Sequence, residues 1–182
     1  MILMKKLLFG VLLLAGFGTR PALAQRHVKH MAAWGAHVGC SETGTYYEAS
    51  YTSLLTNRLA LRTSGLRETG TLAGRGRYES YAGRVLLSPQ LFRVGEVAYV
   101  HLLLGGGAGY ERTNRNGSGE LAAGAPAPQR FTYGPQAGME ADCFLGNRLS
   151  LVVTATKGYL FNQPLIDQWP GYASAGLRYH FR

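Results

Sequence analysis

From Phe131 to Leu145 the chain alternates with a period of two. Phe131, Tyr133, Pro135, Ala137, Met139, Ala141, Cys143 and Leu145 fall on one phase, and Thr132, Gly134, Gln136, Gly138, Glu140 and Asp142 on the other. A helix would place Met139 and Glu140 on neighbouring faces and gain no apolar stripe, whereas an extended strand sends them to opposite sides. The end of the sequence repeats the pattern, with Ala173, Ala175, Leu177, Tyr179 and Phe181 set against Ser174, Gly176, Arg178 and His180. The chain therefore reads as all-β.

The same rule predicts eight strands: Met31 to Cys40, Thr45 to Leu54, Arg58 to Glu68, Arg77 to Leu87, Val97 to Arg112, Phe131 to Leu145, Leu149 to Phe161 and Tyr172 to Phe181. Most match or exceed the roughly 9 to 11 residues that a tilted strand needs to cross a bilayer. The joins after the second and sixth strands are tight, the latter using Gly146-Asn147, and the join at Ser88-Pro89-Gln90 is intermediate. The joins at Gly70 to Gly76, Thr113 to Arg130 and Asn162 to Gly171 are long and rich in Gly, Pro, Asn and Ala. Long and short joins at opposite ends, with an even strand count, are the layout of an eight-stranded antiparallel up-and-down transmembrane β-barrel.

Alternation alone does not say which face is wet. A soluble ligand-binding barrel would turn the same apolar phase inward. The polar phase holds small residues and isolated charges (Gly35, His37, Glu48, Ser50, Thr52, Arg62, Ser64, Ser80, Arg84, His101, Gly105, Gly107) where a solvated face would carry many Lys and Glu. Eight strands leave an interior just wide enough for side chains to fill, so glycines make room and charges need partners. The reading places Glu140, Asp142, Arg178, His180, Arg84 and Arg62 in a lumenal ion-pair network. It leaves Leu177, Tyr179 and Phe181 of the last strand to the lipid side as the strand an assembly machine would read. Aromatic residues near proposed strand ends, among them Trp34, Tyr81, Tyr110 and Tyr133, fit girdles at the headgroup level.

The start of the chain reads as an export signal. Lys5 and Lys6 precede an apolar run from Leu7 to Phe17, and Ala22-Leu23-Ala24 offers a cleavage site before Gln25. The expected organisation is residues 1–24 as signal peptide, 25–30 as a short basic tail with His27, Lys29 and His30, and 31–182 as a barrel in the cell outer membrane. Of the formal charge of +9, loss of Lys5, Lys6 and Arg20 leaves +6, spread as single arginines without Lys-rich runs. That distribution does not fit direct nucleic-acid binding. Outer-membrane lipid is the expected partner.

Reaction chemistry is sparse. The sequence has no G-x-S-x-G, no H-E-x-x-H and no Cys-x-x-Cys. Gly105-Gly106-Gly107-Ala108-Gly109 lacks the Lys-Ser/Thr ending of a phosphate loop and sits inside a strand pattern. No cofactor is expected. Asn116-Gly117-Ser118 reads as a turn, and Cys40 and Cys143, near opposite ends of the barrel, are expected to stay unbonded. An enzymatic alternative, a lipid-modifying acyltransferase or deacylase built on His101 or His180, places its histidines on the lumenal phase, away from lipid substrates.

Three phrases carry a family resemblance: Gly107 to Arg115, Phe131 to Glu140, and Ala173 to Phe181. They resemble the conjugative-transposon protein TraO family over about residues 96 to 182, and the earlier strands match only in spacing. The closing phrase here lacks one alternating pair of the family pattern, and Arg182 follows Phe181. The resemblance implies a non-enzymatic outer-membrane component of a conjugal DNA-transfer apparatus, in a structural or docking role beside other proteins of that apparatus. It supplies no catalytic residue. The alternative is a general OmpA-like or porin-like small barrel acting in envelope integrity or adhesion.

Overall fold

The computed structural model describes residues 31–72, 76–95, 97–114 and 129–181. Eight strands follow in chain order: β1 (Ala32–Ser41), β2 (Gly44–Thr56), β3 (Leu59–Leu72), β4 (Gly76–Val94), β5 (Ala98–Asn114), β6 (Gln129–Phe144), β7 (Leu149–Gly158) and β8 (Gly171–Phe181). Each pairs antiparallel with its neighbour in sequence, and β1 closes on β8 through pairs running from Ala32 opposite Phe181 to Ser41 opposite Tyr172. Closure satisfies the backbone groups that an open sheet would expose, which a strand structure in hydrocarbon requires. The proposed signal peptide, the basic tail, Asn116-Gly117-Ser118 and Arg182 lie outside the described residues.

The side-chain phases decide which face looks out. Met139, Val153 and Leu177 are 48%, 49% and 49% exposed, while Glu140 and Arg178 on the opposite phase are 2% and 3% exposed. The apolar wall is external and the charges are internal, so an inward-facing apolar ligand chamber is excluded. The interior is packed with side chains: Tyr46, Tyr78, Tyr99, Leu103, Phe144 and Val152 are buried. Met31, Leu54 and Ala60 form an apolar plug at the end that carries the short turns.

Three boundaries differ from the sequence reading by three residues or more, each for a local reason. First, β4 runs through Ser88-Pro89-Gln90 to Val94, and the turn into β5 uses Gly95 at φ 65°. Proline's missing N–H is tolerated where the ladder is irregular: β4 pairs Leu87 with Leu104 and Gln90 with His101, and its register shifts between Gln90 and Phe92. Second, the connection expected over Gly70 to Gly76 shrinks to residues 73–75, because both flanking strands continue into it. Gly70 pairs with Tyr78, and a Cβ there would meet the Thr43 carbonyl and the Tyr78 ring, so this glycine permits close packing rather than a turn. Third, regular β7 stops at Gly158. Tyr159 still donates to the Pro135 carbonyl at 3.0 Å and Phe161 to Tyr133 at 2.7 Å, but Pro135 has no N–H to return the bond to Tyr159.

The loops at the two ends are unequal. Residues 42–43, 73–75, 115–128 and 159–170 connect strands at one end, and 57–58, 95–97 and 145–148 at the other. Lumen-facing glycines admit the packing between them. A Cβ on Gly105 would strike the Val85 carbonyl and Leu86. Gly105→Val is accordingly expected to cost about 1–3 kcal/mol by overpacking, read as a lower urea midpoint for the folded barrel. Gly65→Val, whose Cβ would point into open space on the outer wall, is the matched control.

Candidate functional site

A chain of five charged side chains crosses the barrel interior. Arg62 on β3 donates Nη2 to Glu48 Oε1 on β2 at 2.9 Å and Nη1 to Glu140 Oε2 on β6. Arg178 on β8 donates Nη2 to the same Glu140 oxygen at 2.8 Å and Nη1 to Asp142 Oδ2 at 2.9 Å. Glu140 is thus clamped between two guanidiniums. All five groups are buried, and they tie β2 and β3 to β6 and β8 across the lumen. Charges at this depth need such pairing, because each ion separated from water costs several kcal/mol unless a partner offsets it.

Of the six residues placed in the network by sequence, Glu140, Asp142, Arg178 and Arg62 are joined in this chain, and two are placed elsewhere. Arg84 makes no ion pair among the described residues. Its guanidinium carbon lies 4.1 Å from the Tyr172 ring centroid and 6.0 Å from that of Tyr46, a cation–π seat inside the barrel. His180 shares a 2.8 Å hydrogen bond with Ser150 Oγ and stacks on Phe144 with centroids 4.7 Å apart. His37 lies 3.1 Å from Ser50 Oγ, and His101 faces Glu140 across β5 and β6. The serine and histidine of the 150–180 pair are the atom types of a hydrolytic dyad, but Ser150 is 0% exposed and opens onto no solvent or lipid.

Glu48 completes the network. It shares the phase of Ser50 and Thr52 in the alternation of β2, and that parity was the available signal. The upper lumen holds a second polar group. Glu68 accepts from the Tyr78 hydroxyl at 2.7 Å and from the Ser41 hydroxyl. Glu111 accepts from the Leu165 backbone N–H at 2.6 Å, so the 159–170 loop turns down into the barrel mouth. Arg130 donates to Gln163 at 3.3 Å and Asn162 to the Phe131 carbonyl at 2.7 Å, fixing the same loop at its other edge. Between Glu68, Arg84, Glu111, Ile166 and Tyr172 there remains a cavity of about 50 Å³, room for a few waters at about 10–15 Å³ each. Below it the charged chain fills the section. Cys40 and Cys143 are unbonded.

The outer wall bears rings toward the long-loop end. Phe131, Tyr133, Phe161, Tyr159 and Trp169 form a continuous ladder with neighbouring centroids 6.2, 5.6, 4.9 and 4.7 Å apart. Toward the short-turn end Trp34 meets Tyr51 at 5.1 Å. Two ring-bearing bands enclosing an apolar wall are the surface that a barrel presents to a bilayer.

Solved structures share this architecture. The N-terminal β-barrel domain of Pseudomonas aeruginosa OprF is similar at 10% identity and TM-score 0.63, over 84% of this chain and 98% of that one. Neisserial surface protein A is similar at 13% identity and TM-score 0.64, over 83% and 96%. Ail, the attachment invasion locus protein of Yersinia pestis, is similar at 15% identity and TM-score 0.52, over 85% and 100%. The fold is that of a small outer-membrane β-barrel. No protein-family model and no curated protein matches the sequence.

Proposed function

We propose that this chain is a non-enzymatic, non-conducting barrel of the outer membrane, OmpA-like in its role: a membrane-anchored platform that serves envelope integrity or adhesion through its long loops. The observation that carries this reading is the clamped Glu140 between Arg62 and Arg178 inside an apolar outer wall. An ion crossing the lumen would have to part these charges, and barrels with open aqueous channels have roughly 16 or more strands. The folded wall supplies the anchor, and the chain's longest connections, between β5 and β6 and between β7 and β8, both lie at the same end of it. The attachment name of Ail belongs to that protein, yet it marks the same architecture as compatible with surface contact.

The test is fractionation with heat-modifiability on gels, followed by planar-bilayer recording. The mature chain is expected in the outer-membrane fraction, resisting dodecyl sulfate until boiled and adding no steady conductance. A periplasmic, detergent-free soluble chain would overturn the reading. A second reading, a docking component of a conjugal transfer apparatus, rests on the phrases Gly107 to Arg115, Phe131 to Glu140 and Ala173 to Phe181. The similar structures lend it no support. Deleting the gene and counting transconjugants separates the two: unchanged transfer leaves the envelope role, and abolished transfer favours the docking role.

A further inference from the structure

On the outer wall, two recesses lie one above the other along β3 and β4. The lower is an apolar groove of about 660 Å³ floored by Ala36, Ala49, Gly65 and Gly83, walled by Tyr47 and Tyr81, and bounded at its upper side by Arg67. The register explains its shape. Ala36, Ala49, Gly65 and Gly83 lie directly opposite one another across β1 to β4, and Tyr47, Arg67 and Tyr81 form the next row above. A Cβ on Gly65 or Gly83 would meet nothing within 4 Å, so these glycines are not required by internal packing. The upper recess, of about 570 Å³, is polar and basic, lined by Thr69, Thr71, Arg77, Glu79 and Arg112. Arg67 joins the two: its guanidinium pairs with Glu79 and lies 5.7 Å from the Tyr81 ring centroid. Among the described residues, Arg67, Arg77 and Arg112 thus stand with one carboxylate, Glu79, at the long-loop end of an apolar groove.

We infer that this wall is a binding site for a phosphate-bearing glycolipid of the outer leaflet, with an acyl chain in the Gly65–Gly83 groove and phosphate held by Arg67, Arg77 and Arg112. The inference rests on the envelope reading above, which puts the long-loop end at the outer leaflet. Guanidiniums present paired donors to phosphate oxygens, and among the described residues three arginines against one carboxylate leave a surplus of positive charge for an anionic ligand. Tyrosine walls suit the depth where chain meets headgroup. A second copy of the chain fits poorly, since a two-fold contact through this wall would bring the same three arginines against one another.

The experiment is native mass spectrometry of the mature barrel released from mixed micelles containing diphosphoryl lipid A or phosphatidylcholine. The wild-type chain is expected to retain one lipid A per barrel and to release phosphatidylcholine. Arg77→Gln with Arg112→Gln is expected to weaken retention at least tenfold, as is Gly65→Leu with Gly83→Leu, which fills the groove without entering the interior. Arg58→Gln with Arg93→Gln, at the short-turn end, is expected to change nothing. Equal retention by the wild type and both site variants, or equal retention of phosphatidylcholine, would overturn the site. A wild-type chain lacking the heat-dependent gel shift would overturn the envelope reading and the site with it, and the gel tells that failure from the first.

Discussion

Glu140→Ala is expected to lower the stability of the folded barrel by about 3–5 kcal/mol, because it strands Arg62 and Arg178 as uncompensated buried cations. The carboxylate accepts from both guanidiniums, and both are buried inside the sheet, so water cannot take its place without opening the wall. Urea unfolding in lipid vesicles, followed by tryptophan fluorescence, measures the loss. Glu140→Gln keeps an acceptor at the same place and is expected to lose less than the alanine variant. Replacing Arg62, Glu140 and Arg178 together by apolar residues of similar volume is expected to recover much of the stability, since a buried ion network is costly to break yet seldom better than a packed apolar core. The triple variant separates the worth of the charges from the harm of leaving some unpaired. A loss below about 1 kcal/mol for Glu140→Ala would mean that the lumen is wet enough to solvate the two arginines.

The second large effect lies on the other face of the same strand. Met139 is half exposed and stands midway along β6 between Tyr133 near the ring-bearing rim and Leu145 at the short turn. Met139→Arg is expected to cost about 2–4 kcal/mol of folding free energy in vesicles, the depth-dependent cost of a cation on the lipid face near the midplane. Gln129→Arg, on the same outward phase but at the long-loop end, is expected to cost about 0–1 kcal/mol. A soluble barrel would accept arginine equally well at both exposed positions, so the difference between the two variants is the signature of hydrocarbon. Equal costs would remove the reason for reading the wall as lipid-facing.

How legible this was in the sequence depended on which force set each feature. The period of two from Phe131 to Leu145 and from Ala173 to Phe181 was visible because an apolar wall on one side and a crowded polar interior on the other impose it residue by residue. The same parity identified Glu140, Asp142, Arg178 and Arg62 as internal. Parity says that two side chains share an interior, but pairing depends on register around a closed sheet. Glu48 was therefore seen as a lumenal residue without being assigned to Arg62, and Arg84 was assigned to the ion network when it rests on Tyr172. The interior tyrosines were harder still. Tyr46, Tyr78, Tyr99 and Tyr172 share the polar parity, yet tyrosine suits a lumen and an interfacial band equally. At Pro89 and Gly70 the usual turn signals misled, because a break in the β4–β5 ladder between Leu87 and Gln90 excuses the proline's missing N–H and close packing uses the glycine's missing Cβ.

Spin-label accessibility tests the sidedness most directly. With Cys40 and Cys143 replaced by serine, single cysteines at Met139, Val153, Leu177 and Thr154 would carry a nitroxide in the barrel reconstituted in vesicles. Labels at 139, 153 and 177 are expected to collide freely with lipid-soluble oxygen and to be shielded from a water-soluble nickel chelate, while the label at 154, which faces the lumen beside Ser174, is shielded from oxygen and immobile. Labels at 139, 153 and 177 that meet the nickel chelate as readily as oxygen would contradict the account, because the apolar wall would then stand in water.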